Sequence, residues 1–189
     1  MIKSFMALLA GLTFSGAVMA ADIVEGQDYQ VVDEPMKTDV PADQIAVTEV
    51  FWYGCPHCYS LEEPLNEWVA QLPDDVTFDR MAAPLGKVWE QHATAFYAAE
   101  QLGIEEKLRQ DFFDAIHKDG QRLTDKDDIA EFFTNYGVSK DEALKALDSF
   151  GVKSEIQQAS AKMRGYKLMG VPDLIVDGRY VVTPDSAGS

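Results

Sequence analysis

The chain has few of the residues that build disulfide frameworks or metal sites. Only two of its 189 residues are cysteine and only three are histidine. With no third cysteine, the pair cannot belong to a larger disulfide framework. A structural zinc site needs four ligands, and the two cysteines together with His57, His92 and His117 show no zinc-finger spacing. We therefore expect no metal site, and we interpret His92 and His117 as ordinary surface or core residues.

Positively charged residues are also scarce. The sequence contains 16 Lys and Arg against 32 Asp and Glu, which gives a formal net charge of −16. A surface of this sign repels nucleic acid and anionic lipid, so no nucleic-acid partner is expected. The acidity is more simply explained by solubility than by one specific cationic partner. The sequence also shows no internal repeat and no low-complexity segment.

Long apolar runs are missing after the first twenty residues. Residues 1–20 have the pattern of a secretory signal, with a positive charge at Lys3, an apolar stretch over Phe5–Phe14 and small residues before a cleavage site near Ala20. A membrane anchor is the alternative, but the apolar stretch is shorter than the ~20 residues that a spanning helix needs. The pattern predicts an exported protein in a compartment that permits disulfides.

The residues around the cysteines form a strand-helix-strand pattern. Apolar and β-branched residues predict strands over Gln27–Val32 and Ile45–Tyr53. From Pro56 onward the apolar positions follow a helical period, and Val76–Met81 is predicted as the next strand. Such a unit favours parallel pairing with a right-handed crossover.

The rest of the chain changes from helices to a hairpin. Residues Val88–Leu168 are predicted to be helical without any strand, and Ser139–Glu142 forms a capping box. Asp177-Gly178 is the strongest hairpin signal, and it lies between the predicted strands Leu174–Val176 and Arg179–Val182. This order predicts an α/β sheet domain that is interrupted by a helical insertion.

The sequence Cys55-Pro56-His57-Cys58 follows directly on the predicted central strand. Pro56 suits the first helical position, so Cys55 is expected at a helix N-terminus, where free backbone N–H groups and the helix dipole lower a thiol pKa. His57 can add a hydrogen bond or a positive charge. Stabilising the thiolate stabilises the reduced form, which predicts an oxidising disulfide. Cys58, one turn further along, is expected to be buried and neutral and to resolve mixed disulfides.

Two other interpretations of the cysteine pair stay open at this point. The pair could be a structural staple, although a four-residue loop restricts the unfolded chain very little. It could also take part in a metal site, which the missing ligand spacing disfavours.

The motifs resemble those of the DsbA family, the periplasmic thiol:disulfide oxidoreductases of Gram-negative bacteria. The resemblance rests on Val50–Tyr59, which contains the Cys-Pro-His-Cys motif after an apolar strand, and on Gly170-Val171-Pro172 before the hairpin. It covers essentially the whole chain after the signal. It implies a thioredoxin-like fold with an inserted helical domain.

The resemblance also implies a division of the chain. After the signal peptide at residues 1–20, segments 21–86 and 169–189 would form the thioredoxin-like domain, and residues 87–168 the helical insertion. The family's final helix has no counterpart before Ser189, so we expect that helix to be missing from this sequence.

Further site residues follow from the resemblance alone. Val171-Pro172 would carry a cis peptide bond beside the dithiol, and the Val171 backbone would pair with a substrate strand. Glu49 would be a buried acid beneath the site with Arg80 as its basic partner, for proton transfer or as an ion pair of purely structural value. Asp173 departs from the small or apolar residue usual after this proline.

The resulting hypothesis is an oxidase that introduces disulfides into exported proteins. Its partners would be unfolded or reduced exported proteins and a quinone-linked membrane reoxidase of the DsbB kind. The Cys55–Cys58 disulfide would carry the electrons without a cofactor, and the chain is expected to be a periplasmic monomer. Two alternatives are an isomerase or reductase, and a binding module such as a holdase or metal chaperone.

Overall fold

The structure is a computed structural model that describes residues 23–186 of the chain. The signal peptide predicted at residues 1–20 lies outside these described residues, as do the last three residues of the sequence. Within residues 23–186, no helix is long and apolar enough to cross a membrane.

The described residues form a mixed sheet and six helices in an order that confirms the predicted α/β class. The elements are β1 (Gln30–Val31), β2 (Ile45–Phe51), α1 (Pro56–Val69), β3 (Val76–Ala82), α2 (Lys87–Gln101), α3 (Glu105–His117), α4 (Lys126–Thr134), α5 (Lys140–Leu147), α6 (Phe150–Gly165), β4 (Asp173–Val176) and β5 (Tyr180–Val182). All the helices after α1 lie between β3 and β4 in sequence, as the period of the apolar residues predicts.

The strand order of the sheet is β1-β5-β4-β2-β3. β2 pairs with β3 in parallel, which confirms the predicted parallel pairing, and it pairs with β4 in antiparallel. In this register Val50, near the end of β2, lies opposite Asp173, at the start of β4. The loop that leaves β2 and the loop that enters β4 therefore meet at the same edge of the sheet.

β1 is shorter than the sequence predicts. The predicted strand covers Gln27–Val32, but only Gln30 and Val31 pair with β5. The preceding residues form a turn, in which the Gly26 N–H donates to the Tyr29 carbonyl at 2.7 Å. An edge strand has one partner only, so local turn bonds compete with its pairing more easily than in a central strand.

The hairpin between β4 and β5 confirms the Asp-Gly signal. Asp177 and Gly178 both have positive φ angles, of 54° and 63°, which a two-residue hairpin turn of this kind requires. A Cβ atom on Gly178 would lie 2.1 Å from the Met36 carbonyl oxygen. Only glycine therefore fits the second position of the turn.

One hydrophobic core joins the sheet to the helices. Phe51 at the end of β2 is fully buried, and its ring packs edge-on against Phe96 of α2 at a centroid distance of 5.2 Å. Phe113 of α3 lies 6.1 Å from the same ring. The strand that leads to the cysteines is thus held from the helical side.

Candidate active site

The turn after β2 places Cys55 at the start of α1. Cys55 is the N-cap residue with extended φ and ψ of −86° and 119°, and Pro56 begins the helix, as predicted. The Trp52 carbonyl accepts a hydrogen bond from the Cys55 N–H at 2.9 Å. The Trp52 ring lies so close to Gly54 that a Cβ atom there would be 2.3 Å from it. Glycine is therefore required where the chain turns into the helix.

Hydrogen-bond donors converge on the Cys55 sulfur. The Cys58 N–H donates to Cys55 Sγ at 3.4 Å. The Cys58 thiol, the backbone N–H groups of Cys58 and His57, and the charge of His57 lower the pKa of Cys55 to about 6, against the opposing effect of burial. Cys55 is therefore a thiolate at neutral pH, which is the reactive form in disulfide exchange.

Cys58 has the opposite character. Its side chain is fully buried, and its interaction with Cys55 and its burial raise its pKa far above the ordinary value. The charge of Glu49 acts in the same direction. The pair thus consists of one thiolate and one neutral thiol, as the sequence predicts.

The Val171-Pro172 segment, which directly precedes β4, lies next to the dithiol. Their peptide bond is cis, as the resemblance implied. Cys55 Sγ lies 3.6 Å from the Val171 carbonyl oxygen, although the two residues are 116 positions apart in sequence. Within residues 23–186, the Val171 N–H donates no hydrogen bond.

A groove with a volume of about 990 Å³ opens beside the dithiol. One end holds the exposed ring of His57 and the Val171-Pro172 bond. The walls include Val32, Asp173 and Thr183. The groove is open to solvent, and its volume lies at the upper end of the range typical of ligand-binding clefts.

A buried ion cluster lies beneath the dithiol and consists of three carboxylates and two guanidiniums: Glu49, Glu62, Glu105, Arg80 and Arg109. Arg80 Nε lies 3.0 Å from Glu49 Oε2, as the resemblance implied for that pair. One terminal nitrogen of Arg109 lies 3.2 Å from the same oxygen. Burial raises the pKa of Glu49, and both arginines partly offset this effect.

Arg109 is the centre of this cluster. Its Nε lies 2.6 Å from Glu62 Oε1, and its second terminal nitrogen lies 3.2 Å from Glu105 Oε1. Its guanidinium also stacks over the Phe51 ring at 4.1 Å from the ring centroid. Arg109 belongs to α3, so the helical region contributes directly to the charge around Glu49.

The sequence interpretation missed Glu62, Glu105 and Arg109. A signal was present, since Glu62 shares a helix face with the buried Cys58 and Leu65, and a charged residue in an apolar stripe has a buried partner more often than not. Arg109 gives the same signal, because it shares a helix face with the buried Phe112 and Phe113 one turn later. The pattern indicates that such partners exist but not which residues they are.

The two other histidines stack on aromatic side chains of the segment around the cysteines. His117 lies 2.7 Å from the Tyr53 carbonyl and stacks on Tyr59, and the buried His92 stacks on Trp52. No group of three or more His, Cys, Asp or Glu residues between positions 23 and 186 could hold a metal ion.

Comparison with known proteins points to one family. The family model described as DSBA-like thioredoxin domain matches residues 46–187. The chain is 43% identical over 183 residues to the thiol:disulfide interchange protein DsbA of Pseudomonas syringae pv. tomato, with 96% of this chain and 85% of that protein covered. The corresponding protein of Azotobacter vinelandii is 42% identical, with 96% and 87% covered.

The solved structures give the same result. The crystal structure of Pseudomonas aeruginosa DsbA superposes with a TM-score of 0.83 at 35% identity, covering 88% of this chain and 86% of that one. The DsbA of Xylella fastidiosa superposes with a TM-score of 0.81 at 33% identity, covering 86% and 89%. The predicted thioredoxin-like fold is confirmed, and the chain belongs to the DSBA-like thioredoxin domain family.

Proposed function

We propose that this thiol:disulfide oxidoreductase introduces disulfide bonds into exported proteins through Cys55 and Cys58. The observation that carries the proposal is the opposite character of the two sulfurs. Cys55 is held as a thiolate at a helix start, and Cys58 is held as a neutral thiol behind it. Because the environment favours the reduced thiolate, the disulfide is a strong oxidant.

The reaction consists of two exchanges. A substrate thiolate attacks Cys55 Sγ in the oxidised protein, so a mixed disulfide forms and Cys58 leaves as a thiolate that takes up a proton. The second substrate thiolate then attacks the substrate sulfur of the mixed disulfide and displaces Cys55. The substrate loses two electrons and the dithiol gains them, so no further cofactor is required.

Pro56 and His57 set the direction of this exchange. Pro56 starts the helix without needing an N–H donor, and the Cys58 N–H, which has no intrahelical acceptor in the first turn, donates to the Cys55 sulfur. His57 adds its backbone N–H and its charge. Both make Cys55 the better leaving group in the second step, since a thiol of low pKa leaves faster.

The substrate segment would lie in the groove next to Val171 and Pro172. The unpaired Val171 N–H can donate to an extended chain, and its carbonyl already faces Cys55. A solved neighbour, a cysteine-to-serine variant of Proteus mirabilis DsbA, holds the non-covalently bound peptide PWATCDS. Reduced or unfolded chains are substrates of matching chemistry.

Glu49 would take up or release protons for Cys58. It is fully buried, its charge acts on that thiol, and burial raises its pKa above that of an ordinary glutamate. Arg80 would hold its carboxylate in position.

The cellular setting follows from the same proposal. The signal pattern at residues 1–20 would direct the chain to the periplasm, with cleavage near Ala20. Residues 21–86 and 169–189 would act as the thioredoxin-like domain and 87–168 as the inserted helical domain of a monomer. A membrane reoxidase of the DsbB kind would remove the two electrons after each turnover.

The test combines a potential with a rate. Equilibration with glutathione should give a reduction potential well above the thioredoxin value of about −270 mV. The oxidised protein should convert a two-cysteine peptide to its disulfide, and Cys55→Ser should abolish this conversion. A potential near that of thioredoxin, or efficient repair of scrambled disulfides, would instead favour the reductase or isomerase.

A further inference from the structure

Asp173 is a buried acid without a partner. It is the first residue of β4, directly after the cis-Pro172 bond, and it is 8% exposed. Within residues 23–186 its carboxylate forms no ion pair and no side-chain hydrogen bond. Glu49 is buried to a similar degree one strand away and contacts two arginines. Unlike Oε1 of Glu49 and Oε2 of Glu62, the Asp173 oxygens are not sealed from solvent, so a cation that enters the groove can reach them.

Asp173 forms part of the wall of the proposed substrate groove. Asp173 lines the groove together with His57 and the Val171-Pro172 bond. Burial raises the pKa of Asp173 to about 7. Asp173 is two residues after Val171, whose carbonyl lies 3.6 Å from Cys55 Sγ, so it is close to the position that a substrate cysteine would occupy.

The other charged residues of the groove do not neutralise it. They are His57, Asp33, Lys167 and Asp185. Lys167 pairs with Asp33. His57 is exposed, and its charge acts on Cys55. The groove therefore presents two unpaired carboxylates, of which Asp173 is the buried one.

We propose that Asp173 is a specificity determinant that binds a Lys or Arg side chain of the substrate segment lying in the groove. The inference deepens the proposed function and rests on it. An ammonium or guanidinium group replaces lost hydration with a charge-assisted hydrogen bond, whereas a substrate glutamate adds a second buried negative charge. Asp173 acts by binding and does not take part in the exchange of electrons.

The test is a competition among short peptides with the oxidised full chain. Each peptide carries two cysteines and differs in one residue next to the first cysteine, which is Lys, Gln or Glu. The second-order rate of peptide oxidation is divided by the rate of the same peptide with oxidised glutathione, because a neighbouring charge alters thiol reactivity by itself. We expect the lysine peptide to react about tenfold faster than the glutamate peptide, a factor worth ~1.4 kcal/mol.

Matched variants assign the preference to this residue. Asp173→Asn removes one negative charge with almost no change of shape, and it should reduce the lysine-to-glutamate ratio to about twofold or less. Asp74→Asn removes the same charge from an exposed turn between α1 and β3, and it should keep the wild-type ratio. Asp173→Ala serves as a second neutral variant.

The outcomes separate the inference from the proposed function. Equal ratios in wild type and Asp173→Asn, or a wild-type ratio near one, would overturn the role of Asp173 while leaving the oxidase intact. A wild-type protein that oxidises none of the peptides would overturn the proposed function itself. Failure of both neutral variants to fold, by circular dichroism, would contradict the premise that the carboxylate lacks a partner within the chain.

Discussion

Buried carboxylates lie on both sides of the dithiol, and they differ in whether a cation of the protein pairs with them. Beneath the dithiol, Glu49 and Glu62 share two arginines, one of which also pairs with Glu105. On the groove side, Asp173 has no cation within the described residues. In the proposed function, the paired acid would serve the dithiol from within the protein, whereas the unpaired acid lines the groove that would receive the substrate. The comparison teaches that the role of a buried charge depends on its partners and not on its burial alone.

Loss of Arg109 should disrupt the paired ion cluster more than any other change considered. Arg109→Met leaves three buried carboxylates with Arg80 alone, and loss of one member of a buried ion network costs about 3–5 kcal/mol. We expect a fall of this size in the free energy of unfolding, measured by urea denaturation. Arg109→Lys should recover part of it, since it keeps the charge but not the fork of donors. A loss below ~1 kcal/mol for Arg109→Met would show that the cluster does not depend on this residue.

The stability of the reduced protein should depend on pH, because Cys55 ionises between the two sides. The pKa of Cys55 is lowered to about 6, so the folded reduced protein binds fewer protons than the unfolded chain between that pH and the ordinary thiol range. Stability of the reduced form should therefore rise by about 2–3 kcal/mol from pH 5 to pH 8.5 and be lost again as pH falls through 6.

The oxidised form, which has no Cys55 thiolate, is the matched control for that experiment. The difference between the two forms in urea denaturation isolates the cysteine titration from the other groups. A difference that stays constant over this pH range would contradict a lowered pKa of Cys55.

Removing the charge of Asp173 should stabilise the protein, whereas removing Arg109 from the paired cluster should destabilise it. The pKa of Asp173 is raised to about 7 in the folded chain, so the carboxylate destabilises the protein as pH rises through the interval between the ordinary aspartate range and 7. Asp173→Asn should increase stability by about 2 kcal/mol at pH 8, roughly half of what the full pKa difference implies because the groove beside the carboxylate is open to solvent, and should have no effect below about pH 4. Thermal unfolding of both proteins at the two pH values measures this, and a destabilised variant at pH 8 would mean that the acid is paired.

The smallest expected effect concerns Glu49 as a proton acceptor. Glu49→Gln keeps the shape and the hydrogen-bond acceptor for Arg80 and Arg109 but cannot titrate. If Glu49 exchanges protons with Cys58, peptide oxidation should slow by about tenfold, less than the ~10²-fold lower end of typical general acid-base effects, and its pH-rate profile should change. An unchanged pH-rate profile with lower stability would assign Glu49 a structural role only.

Local features of the site could be predicted because neighbouring residues produce them. Cys55 caps the helix because Pro56 starts it, and the two-residue spacing brings the Cys58 N–H to the Cys55 sulfur. The Asp177-Gly178 turn likewise follows from its own backbone requirements. Edge pairing of β1 was less predictable, since local turn bonds before Gln30 compete with it.

The partners of the buried charges could not be predicted in the same way. An amphipathic pattern shows that Glu62 and Arg109 face inward, but it carries no information on which distant element they meet. The position of Asp173 after Pro172 was visible in the sequence, while its lack of a cation was not.

The sequence by itself determined the dithiol chemistry, since the thiolate, the helix start and the order of strands and helices arise from contacts a few residues apart. Only the tertiary structure decided which charges surround that dithiol. Arg109 reaches Glu49 across 60 residues, and Val171 reaches Cys55 across 116. Such contacts depend on how the sheet register and the helix packing bring distant segments together, and no local pattern specifies that arrangement.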